Sequence, residues 1–360
     1  MKIVHLTSSH VRYDARVFER MCKSISNKGY ETKLIVADGL GDCISSNVQI
    51  IDIGKVNGRL QRFILNPIKI FFKVRKFRKV IFHLHDTELL LIANFLKFNK
   101  NKVIFDMHEV QPDSILTKNW LGNMFFRSFI SRIFSLIEYF ALRGIDCLIV
   151  VQPLIQERYK NHNKNVKVIL NYAKLKENIS INKKNYKNII YIGAISEERG
   201  LSNMLNLINH LPNEYHLHLA GLLDKEAEIK LQNSFFSKIT YHGQLEKDDL
   251  FKLLEKCAIG LIMFNNIGQY NYSYSLKLFE YMQFGFPVIM PDFGEWIQFN
   301  QIYNAGYNFD PKNFEEIAKI IINIDDITFE EFNNKNPKLV KDYFNWDNEF
   351  CKLVNIYNEI

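Results

Sequence analysis

Short runs of β-branched and aliphatic residues alternate with longer amphipathic runs along most of this 360-residue sequence. The first three runs, residues 2–7, 15–28 and 31–37, read as strand, helix and strand, and Gly29 stands where the helix should end. Further strands are predicted at 48–53, 80–85, 102–106 and 147–151, with helices at 89–98 and 121–143. Such alternation predicts an α/β fold with a mainly parallel, doubly wound sheet.

A polar run, KLKENISINKKNYKN at residues 174–188, interrupts this pattern, and the alternation then begins again. The second series predicts strands at 189–192, 216–220, 239–242, 259–264 and 287–290, with helices at 201–211, 225–234 and 247–256. A chain of this length exceeds the usual size of a single core. We therefore predict two doubly wound domains, 1–172 and 173–335, followed by a C-terminal helical segment, 336–360, that could pack back on the first domain.

Composition favours an ordinary globular protein of the cytoplasm. The five cysteines lie far apart, without a CxxC pair or zinc-ligand spacing, which fits free thiols in a reducing compartment. The N-terminus reads as a strand rather than a signal peptide, and no run of about 18 apolar residues could span a bilayer. The chain also lacks a GxSxG elbow, a P-loop and a GxGxxG motif, so hydrolase, P-loop and dinucleotide-binding functions lack their main signals.

The stretch SLKLFEYMQFGFPVI, residues 275–289, places two charged residues on one side of a predicted helix. If Ser273 or Ser275 caps that helix, Lys277 and Glu280 are one turn apart near its N-terminus, where the helix dipole favours an anion. A lysine there can bind a diphosphate, and a glutamate can accept hydrogen bonds from sugar hydroxyls. An exposed ion pair between the two residues is the structural alternative.

The order of several segments resembles the GT-B fold glycosyltransferases, most closely the retaining enzymes of family 4. Those segments are MKIVHLTSSHVRYDARVFER, HLHDTELLL, VIFDMHE, YIGAISEERGL and AIGLIMF followed by the helix just described. The resemblance covers nearly the whole chain. It implies two Rossmann-like domains facing each other across a cleft, with the nucleotide-sugar donor bound by the second domain and the acceptor by the first.

Carried over residue by residue, the resemblance implies three groups of site residues. His108 and Glu109 would be catalytic. The first loop, with Ser8, Ser9, Asp14 and Arg16, would border the acceptor and the donor phosphates. The donor-binding residues would be Gly193, Arg199, Gly243, Lys277 and Glu280. It also implies that no metal and no cofactor is needed, since side-chain cations would meet the diphosphate.

The sequence departs from the family pattern at three places. The first glutamate of the usual Glu-x7-Glu pattern falls at Tyr272, and an arginine that many members have after Gly193 is replaced by Ala194. The glycine pair of the first loop is replaced by Ser8 and Ser9. We expect phosphate binding to depend on Arg199 and Lys277 instead.

Several of these residues have structural alternatives. Asp14 and Arg16 could form a helix cap and a first-turn ion pair. His83 and His85 could satisfy buried backbone groups and Asp86 could be an N-cap, which we favour over metal ligation because a third ligand is not evident from the sequence. For His242 we favour a structural role over contact with the nucleotide base.

Two segments of the first domain could contact a membrane. Residues 59–79 contain eight cations and no acidic residue, interleaved with aliphatic and aromatic residues. Residues 119–144 have a broad apolar face that includes Trp120, Phe125, Phe129 and Phe134, which we expect to be mostly a core face. A basic amphipathic surface binds anionic headgroups, while a solvated basic helix is the alternative.

The sequence therefore predicts a glycosyltransferase that moves a sugar from a nucleotide sugar to a glycan acceptor with retention, in bacterial O-antigen, capsule or other surface polysaccharide synthesis. We expect a polyprenyl-diphosphate-linked acceptor, a peripheral position on the inner face of the cytoplasmic membrane, and no nucleic-acid partner. The alternatives are a GT-B nucleotide-sugar 2-epimerase and a non-catalytic sugar- or lipid-binding partner.

Overall fold

A computed structural model gives the structure of the chain except at residues 57, 119–120, 177–178, 180–185, 233–236 and 272–273 and the side chains of 59, 60, 117, 268 and 269. Tyr272 and Ser273, both named above, and Trp120 therefore lie outside the described residues. The chain forms two compact units, one of residues 1–171 with 346–360 and one of residues 172–345. The last helix begins at Trp346, ten residues after the predicted start of the C-terminal segment.

The first unit contains an eight-stranded sheet of order β3-β4-β2-β1-β5-β6-β7-β8, parallel except for the β3–β4 pair. Its strands are β1 (Lys2–Leu6), β2 (Glu31–Val36), β3 (Cys43–Ser45), β4 (Val48–Asp52), β5 (Ile81–Leu84), β6 (Lys102–Met107), β7 (Cys147–Val150) and β8 (Val166–Val168). The short edge strands β3 and β8 were not predicted, because three residues are too few to show a period.

Helices cover both faces of this sheet. A π-helical segment, Val17–Cys22, continues into α1 (Lys23–Asn27), and short 3₁₀ turns occur at Thr87–Leu89 and Phe98–Lys100. The others are α2 (Arg59–Val74), α3 (Leu90–Leu96), α4 (Gln111–Thr117), α5 (Met124–Gly144), α6 (Pro153–Tyr159) and the C-terminal helix Trp346–Glu359. Trp346, Leu353 and Ile356 of that helix pack on Ile3 and Ile81 of the central strands, which explains why the chain returns to this unit.

The second unit contains a six-stranded, wholly parallel sheet of order β11-β10-β9-β12-β13-β14. Its strands are β9 (Asn188–Ile192), β10 (His216–Ala220), β11 (Ile239–Tyr241), β12 (Ile259–Leu261), β13 (Val288–Pro291) and β14 (Gly306–Phe309). Its helices are α7 (Leu201–His210), α8 (Lys225–Gln232), α9 (Lys247–Leu254), α10 (Leu276–Gln283), α11 (Glu295–Tyr303), α12 (Phe314–Ile322) and α13 (Asp326–Asp342).

Both units are thus doubly wound, and the polar residues that follow their central strands collect at the carboxyl edge of each sheet. Ligands of such folds bind at that edge. Among the described residues, no helix has the length and apolar character that crossing a bilayer requires.

Candidate active site

In the second unit, the candidate donor site begins where β9 ends. Gly193 follows β9 with φ of +100°, and its amide donates to the carbonyl of Ala220 at the end of β10. Gly200, with φ of +84°, begins α7 so tightly that a Cβ there would lie 1.8 Å from the Met263 carbonyl oxygen. Only glycine fits such a position. The backbone therefore brings Arg199 and the start of α7 close to the end of β12.

Lys277 lies in the first turn of α10, with only 4% of its surface exposed. Its Nζ lies 3.7 Å from the ring centroid of Tyr191 and 4.8 Å from that of Phe264, a cation–π arrangement. Within the described part of the chain, Nζ has no hydrogen-bond partner. Burial, with the nearby Arg199 cation, lowers the pKa of Lys277 well below its ordinary value. The alternative of an exposed ion pair with Glu280 is therefore wrong for this lysine.

The structure brings three of the predicted donor residues together, Gly193, Arg199 and Lys277. A Cβ added to this glycine would lie 3.6 Å from Lys277 Nζ and 4.0 Å from Arg199 Nη1, so two cations border an open backbone position. Glu280 lies one turn further along α10 and is partly exposed. Gly243, at φ of +71°, follows β11 and has open space where a side chain would be. Ala194 is exposed, in place of the arginine of many family members.

The aromatic residues beneath the lysine were not predicted from the sequence. The hydroxyl of Tyr191 donates to the Ala194 carbonyl at 2.9 Å, which holds its ring under Lys277. Tyr281 is fully buried, and its hydroxyl accepts the amide of Ile192 at 3.0 Å and donates to the carbonyl of Leu261. An aromatic residue two positions before a strand-end glycine was the available signal for Tyr191. Together these contacts fix the ends of β9 and β12 around the cation pair.

In the first unit, the first loop is held by Asp86 at the end of β5. Its carboxylate accepts hydrogen bonds from Thr7 Oγ1 at 2.6 Å, the Ser8 amide at 2.7 Å and both the amide and hydroxyl of Ser9, and it pairs with His10. Burial alone would raise the pKa of Asp86, but His10 and these donors hold it well below its usual range. Asp86 does occupy the position before a 3₁₀ turn, but its side chain makes no capping bond there.

Ser8 is tied to two further elements. Its hydroxyl donates to Glu88 Oε1 at 2.8 Å, and its carbonyl accepts from the side chain of Asn66 on α2 at 2.9 Å. Asp14 accepts the amides of Arg16 and Val17 at 2.8 and 2.9 Å and thus begins the following helix. The cap predicted as the alternative for Asp14 is present.

Arg16 does not pair with Asp14 but with Asp106 on β6. Its Nε and Nη2 donate to the two carboxylate oxygens at 2.9 and 2.8 Å, and both residues are buried. His108, two residues after Asp106, has Nε2 3.1 Å from the same carboxylate and keeps 26% of its side chain exposed. Glu109 is exposed, 3.9 Å from Lys118, outside this network. The two predicted catalytic residues thus lie in different surroundings.

Three more histidines lie behind Asp106. His85 Nδ1 is 3.3 Å from Asp106 Oδ2, His5 Nδ1 is 2.8 Å from His85 Nε2, and His83 Nδ1 is 2.6 Å from the Tyr357 hydroxyl. Burial lowers the pKa of His5 and His83 well below the ordinary value and that of His85 to about 3. The alternation in HLHD and IFDMH was the signal for this cluster, because every second residue of a strand shares a face.

Two groups could hold a metal ion by distance, His5 with His83 and His85, and His85 with Asp106 and His108. The third ligand that the sequence did not show is therefore present in space. Arg16, however, already donates to both oxygens of Asp106. A guanidinium in that position competes with a cation for the carboxylate, so the geometry favours a hydrogen-bond network.

In the second unit, His242 Nε2 lies 3.0 Å from His218 Nδ1, and the His242 amide donates to the carbonyl of Leu219 on β10, which gives His242 a structural role.

Residues 186–325 match the family described as glycosyl transferases group 1. Comparison with curated proteins finds no match. The family match confirms the predicted resemblance, and with it the prediction that the chain is a transferase of the glycosyltransferase type.

Solved structures confirm the GT-B fold class. A sucrose-phosphate synthase from Thermosynechococcus elongatus has a TM-score of 0.74 at 15% identity, with 99% of this chain and 98% of that one covered. HepE from Anabaena, in complex with UDP-glucose, has a TM-score of 0.72 at 13% identity, with both chains fully covered. A trehalose-6-phosphate synthase studied for glycosyl transfer with retention has a TM-score of 0.71 at 10% identity, covering 100% and 99%.

Proposed function

We propose that this chain transfers a sugar, with retention, from a nucleotide-sugar donor to a polyprenyl-diphosphate-linked glycan at the inner face of the cytoplasmic membrane. The product would be a bacterial surface polysaccharide such as O-antigen or capsule. One observation carries the donor assignment, the buried Lys277 ammonium beside Arg199 and Gly193 with no hydrogen-bond partner in the described chain. A buried cation without an anion is costly, so a ligand that supplies negative charge should bind there.

A nucleoside diphosphate fits this requirement. Its two phosphates would accept from Lys277, from Arg199 and from backbone amides at the end of β9, and Glu280 would accept from the ribose hydroxyls. These groups would stabilise the charge that develops on the departing diphosphate, which is commonly the largest contribution to catalysis at such sites. We propose UDP-glucose as the first donor to test, since HepE was solved with it, and retention because the trehalose-6-phosphate synthase neighbour transfers with retention.

The cations also support transfer without a metal. A chelator should leave the transfer rate unchanged, because Lys277 and Arg199 occupy the role that a divalent ion has in metal-dependent transferases. Loss of transfer in chelator with recovery on addition of magnesium or manganese would contradict this part of the proposal.

The acceptor assignment rests on an exposed surface of the first unit, which we call the aromatic surface. It is formed by α2, α3 and α5, with α3 packed between the other two. Phe125 is 89% exposed and Phe140 67%, where a core face was expected, so that expectation was wrong for most of α5. The other exposed apolar members are Ile64, Leu65, Ile68, Phe72, Leu91, Phe95, Met124, Phe126, Phe129, Ile133 and Leu136.

Among the described side chains of these three helices, the exposed charged ones are all cations. Lys69 and Lys73 are exposed on α2, Arg132 is exposed on α5, and the single acidic residue of the three helices, Glu138, is buried. Exposed aromatic residues among cations are typical of a helix layer that lies in the interface of an anionic bilayer. Such a surface has a use in an enzyme with a lipid-linked acceptor and none in an epimerase of free nucleotide sugars.

Two experiments test the proposal. Purified protein is incubated with radiolabelled UDP-glucose and other nucleotide sugars, with and without a polyprenyl-diphosphate glycan, and the products are separated. Labelled lipid supports the transferase, isomerised donor supports the epimerase, and absence of turnover with every donor supports the binding protein.

Glu280→Ala should abolish nucleotide binding in a thermal-shift assay while leaving the fold intact. Unchanged affinity would remove Glu280 from the donor site.

The membrane part has its own test. Flotation with vesicles of phosphatidylglycerol should recover the wild type, and a Phe125→Ser, Phe129→Ser double variant should stay behind. Ile327→Ser is a matched control, because Ile327 is 71% exposed in the second unit. Equal flotation of all three proteins would contradict the assignment of the aromatic surface.

A further inference from the structure

A row of polar residues in the first unit continues the apolar face on which the C-terminal helix packs. Ile3 and His5 of β1 share that face, as do Ile81 and His83 with His85, and Ile104 and Asp106 with His108. The apolar members pack under the C-terminal helix, and the polar members follow toward the carboxyl edge. His108 is the last of them and the one with substantial exposure, at 26% of its side chain.

The direction of each hydrogen bond in this row follows from the charge of Asp106. Arg16 donates to both of its oxygens at 2.8 and 2.9 Å. Although burial alone would raise the pKa of Asp106, the Arg16 guanidinium and His108 hold it well below its usual range. An ionised carboxylate only accepts hydrogen bonds. His108 Nε2, hydrogen-bonded at 3.1 Å to Oδ2, must therefore carry a hydrogen. His85 Nδ1 lies 3.3 Å from the same oxygen without hydrogen-bond geometry, and the negative charge of the carboxylate favours a hydrogen on that nitrogen.

The tautomers of the remaining histidines follow in turn. A neutral imidazole has one donor and one acceptor nitrogen, so His85, protonated on Nδ1, accepts through Nε2. His5 Nδ1, at 2.8 Å, must then donate to it. These rings are buried and their low pKa keeps them neutral, so the chain of donors runs in one direction from His5 through His85 to Asp106.

We propose that Asp106 is a positioning residue that holds His108 as the Nε2–H tautomer, with His85 and His5 fixing the carboxylate from behind. Nδ1 is then the ring nitrogen that His108 offers to a ligand, and its lone pair accepts a hydrogen bond from a hydroxyl of a bound sugar. The inference rests on the proposed function for the identity of that ligand and on the structure alone for the tautomer.

The tautomer can be measured without turnover. In protein labelled with ¹⁵N-histidine, long-range ¹H–¹⁵N correlation distinguishes protonated from unprotonated ring nitrogens, and His108→Gln assigns the signal. We expect a protonated Nε2 in the wild type. In Asp106→Asn the signal should move toward the Nδ1–H form, because an amide N–H facing the ring would require Nε2 to accept. A wild-type His108 protonated on Nδ1 alone would overturn the proposal.

Kinetics provide the second measurement. Asp106→Asn should lower kcat about 100-fold while the affinity for UDP stays within about twofold, since the donor residues belong to the other unit. Glu138→Gln is the matched control, an isosteric change of a carboxylate that is 2% exposed in the same unit and bonds Tyr159 rather than the histidines. Equal kcat in the two variants, with a changed tautomer in Asp106→Asn, would show that the tautomer is irrelevant to transfer.

A third variant keeps the proposal testable if Asp106→Asn does not fold. His85→Gln removes one donor to Asp106 but leaves the Arg16 pair, so the Nε2–H tautomer should persist and kcat should fall about tenfold. If Asp106→Asn does not fold, a persistent Nε2–H tautomer in His85→Gln together with the lower kcat supports the proposal, and an unchanged kcat overturns the role of His85. Tight binding of one zinc ion by the wild type, shown by metal analysis, would overturn the network in favour of a metal site. Absence of transfer in the wild type would defeat the proposed function but leave the tautomer result standing.

Discussion

The carboxyl edges of the two sheets both contain buried charged side chains, but the charges have opposite signs and different partners. In the first unit two buried carboxylates, Asp86 and Asp106, are saturated by donors from the protein itself. In the second unit a buried ammonium, Lys277, has no hydrogen-bond partner in the described chain and lies beside Arg199 and an open glycine. The carboxylates of the first edge thus have donors within the chain, whereas the ammonium of the second edge has no hydrogen-bonded anionic partner among the described residues. From this difference we expect the first unit to hold a side chain in a fixed orientation and the second to bind an anionic ligand.

The two edges also differ in what fixes them. Side-chain hydrogen bonds hold the first loop to Asp86, while close backbone approach holds the start of α7 to β12. Single substitutions can show how much each of these two kinds of contact contributes to stability and to ligand binding.

The largest effect is expected for Gly200→Ala. The new Cβ would lie 1.8 Å from a carbonyl oxygen at a φ of +84°, so the second unit should lose at least about 3 kcal/mol of stability. Gly243→Ala, with a similar φ but open space, should cost only about 1 kcal/mol. Urea unfolding of both variants measures the difference, and equal losses would show that close approach at Gly200 does not matter.

The next largest effect is expected at Lys277, the buried lysine of the candidate donor site. Lys277→Met should weaken UDP binding about 100-fold, because a charge-assisted contact to the diphosphate is lost in a water-poor site. Its melting temperature without ligand should stay the same or rise, since a buried cation is removed. Lys252→Met, an exposed lysine of the same unit, is the control and should change neither quantity. A strong loss of ligand-free stability would assign Lys277 to the fold instead of the site.

A smaller effect is expected from acid. The pKa values of His5, His83 and His85 are lowered in the folded state, so the unfolded state binds more protons below about pH 6.5 and stability falls as pH falls. The lowered pKa values of Asp86 and Asp106 act in the same direction at still lower pH. The raised pKa values of His10, Glu88 and Glu138 act in the opposite direction. The three buried histidines outweigh them between about pH 5 and about pH 7, because their pKa values are lowered well below that range or to about 3.

Hydrogen exchange at about pH 5 and about pH 7 checks this, since the first unit should lose more protection than the second over that range. In the second unit the lowered pKa values of His218 and His242 belong to side chains that are less buried, so their contribution is smaller. Equal loss in the two units would contradict the comparison between the edges.

The smallest effect is a fractional proton uptake. Because the pKa of Lys277 is lowered without ligand, a bound diphosphate should raise it, and UDP binding at about pH 9 should take up part of a proton. Calorimetry in two buffers of different ionisation enthalpy measures that uptake. The same titration with Lys277→Met should show none, and uptake that persists in the variant would assign the proton to another group.

Much of the fold followed from the sequence because its signals are local. The central strands and most helices were predicted to within a few residues, as in β10, His216–Ala220, where the bounds agree fully. Strands β3, β8 and β14 were missed because their sequences are too short or too polar to show a period. The face of α5 was misjudged, since an apolar helix face looks the same whether it covers a core or faces outward.

The site was predicted unevenly for the same reason. Lys277 and Glu280 were singled out by their spacing on one helix, and Arg199 by the resemblance to the GT-B glycosyltransferases. Tyr191, Asp106 and the partner of Arg16 could not be found that way, because Arg16 and Asp106 are ninety residues apart in sequence. The neighbouring residues in the sequence also do not determine whether a lysine is exposed or buried over an aromatic ring.

By itself, the sequence determined the alternation of strands and helices, the two series and the polar residues that follow each strand, because periodicity and strand ends are local properties. Only the tertiary structure decided which of those residues meet. Parallel strands bring their carboxyl ends to one edge whatever their separation along the chain. The pairing of Arg16 with Asp106 and the burial of Lys277 over an aromatic ring therefore depend on strand order and packing. A residue's charge is fixed by its type, but whether that charge is satisfied or awaits a ligand is fixed by its neighbours in space.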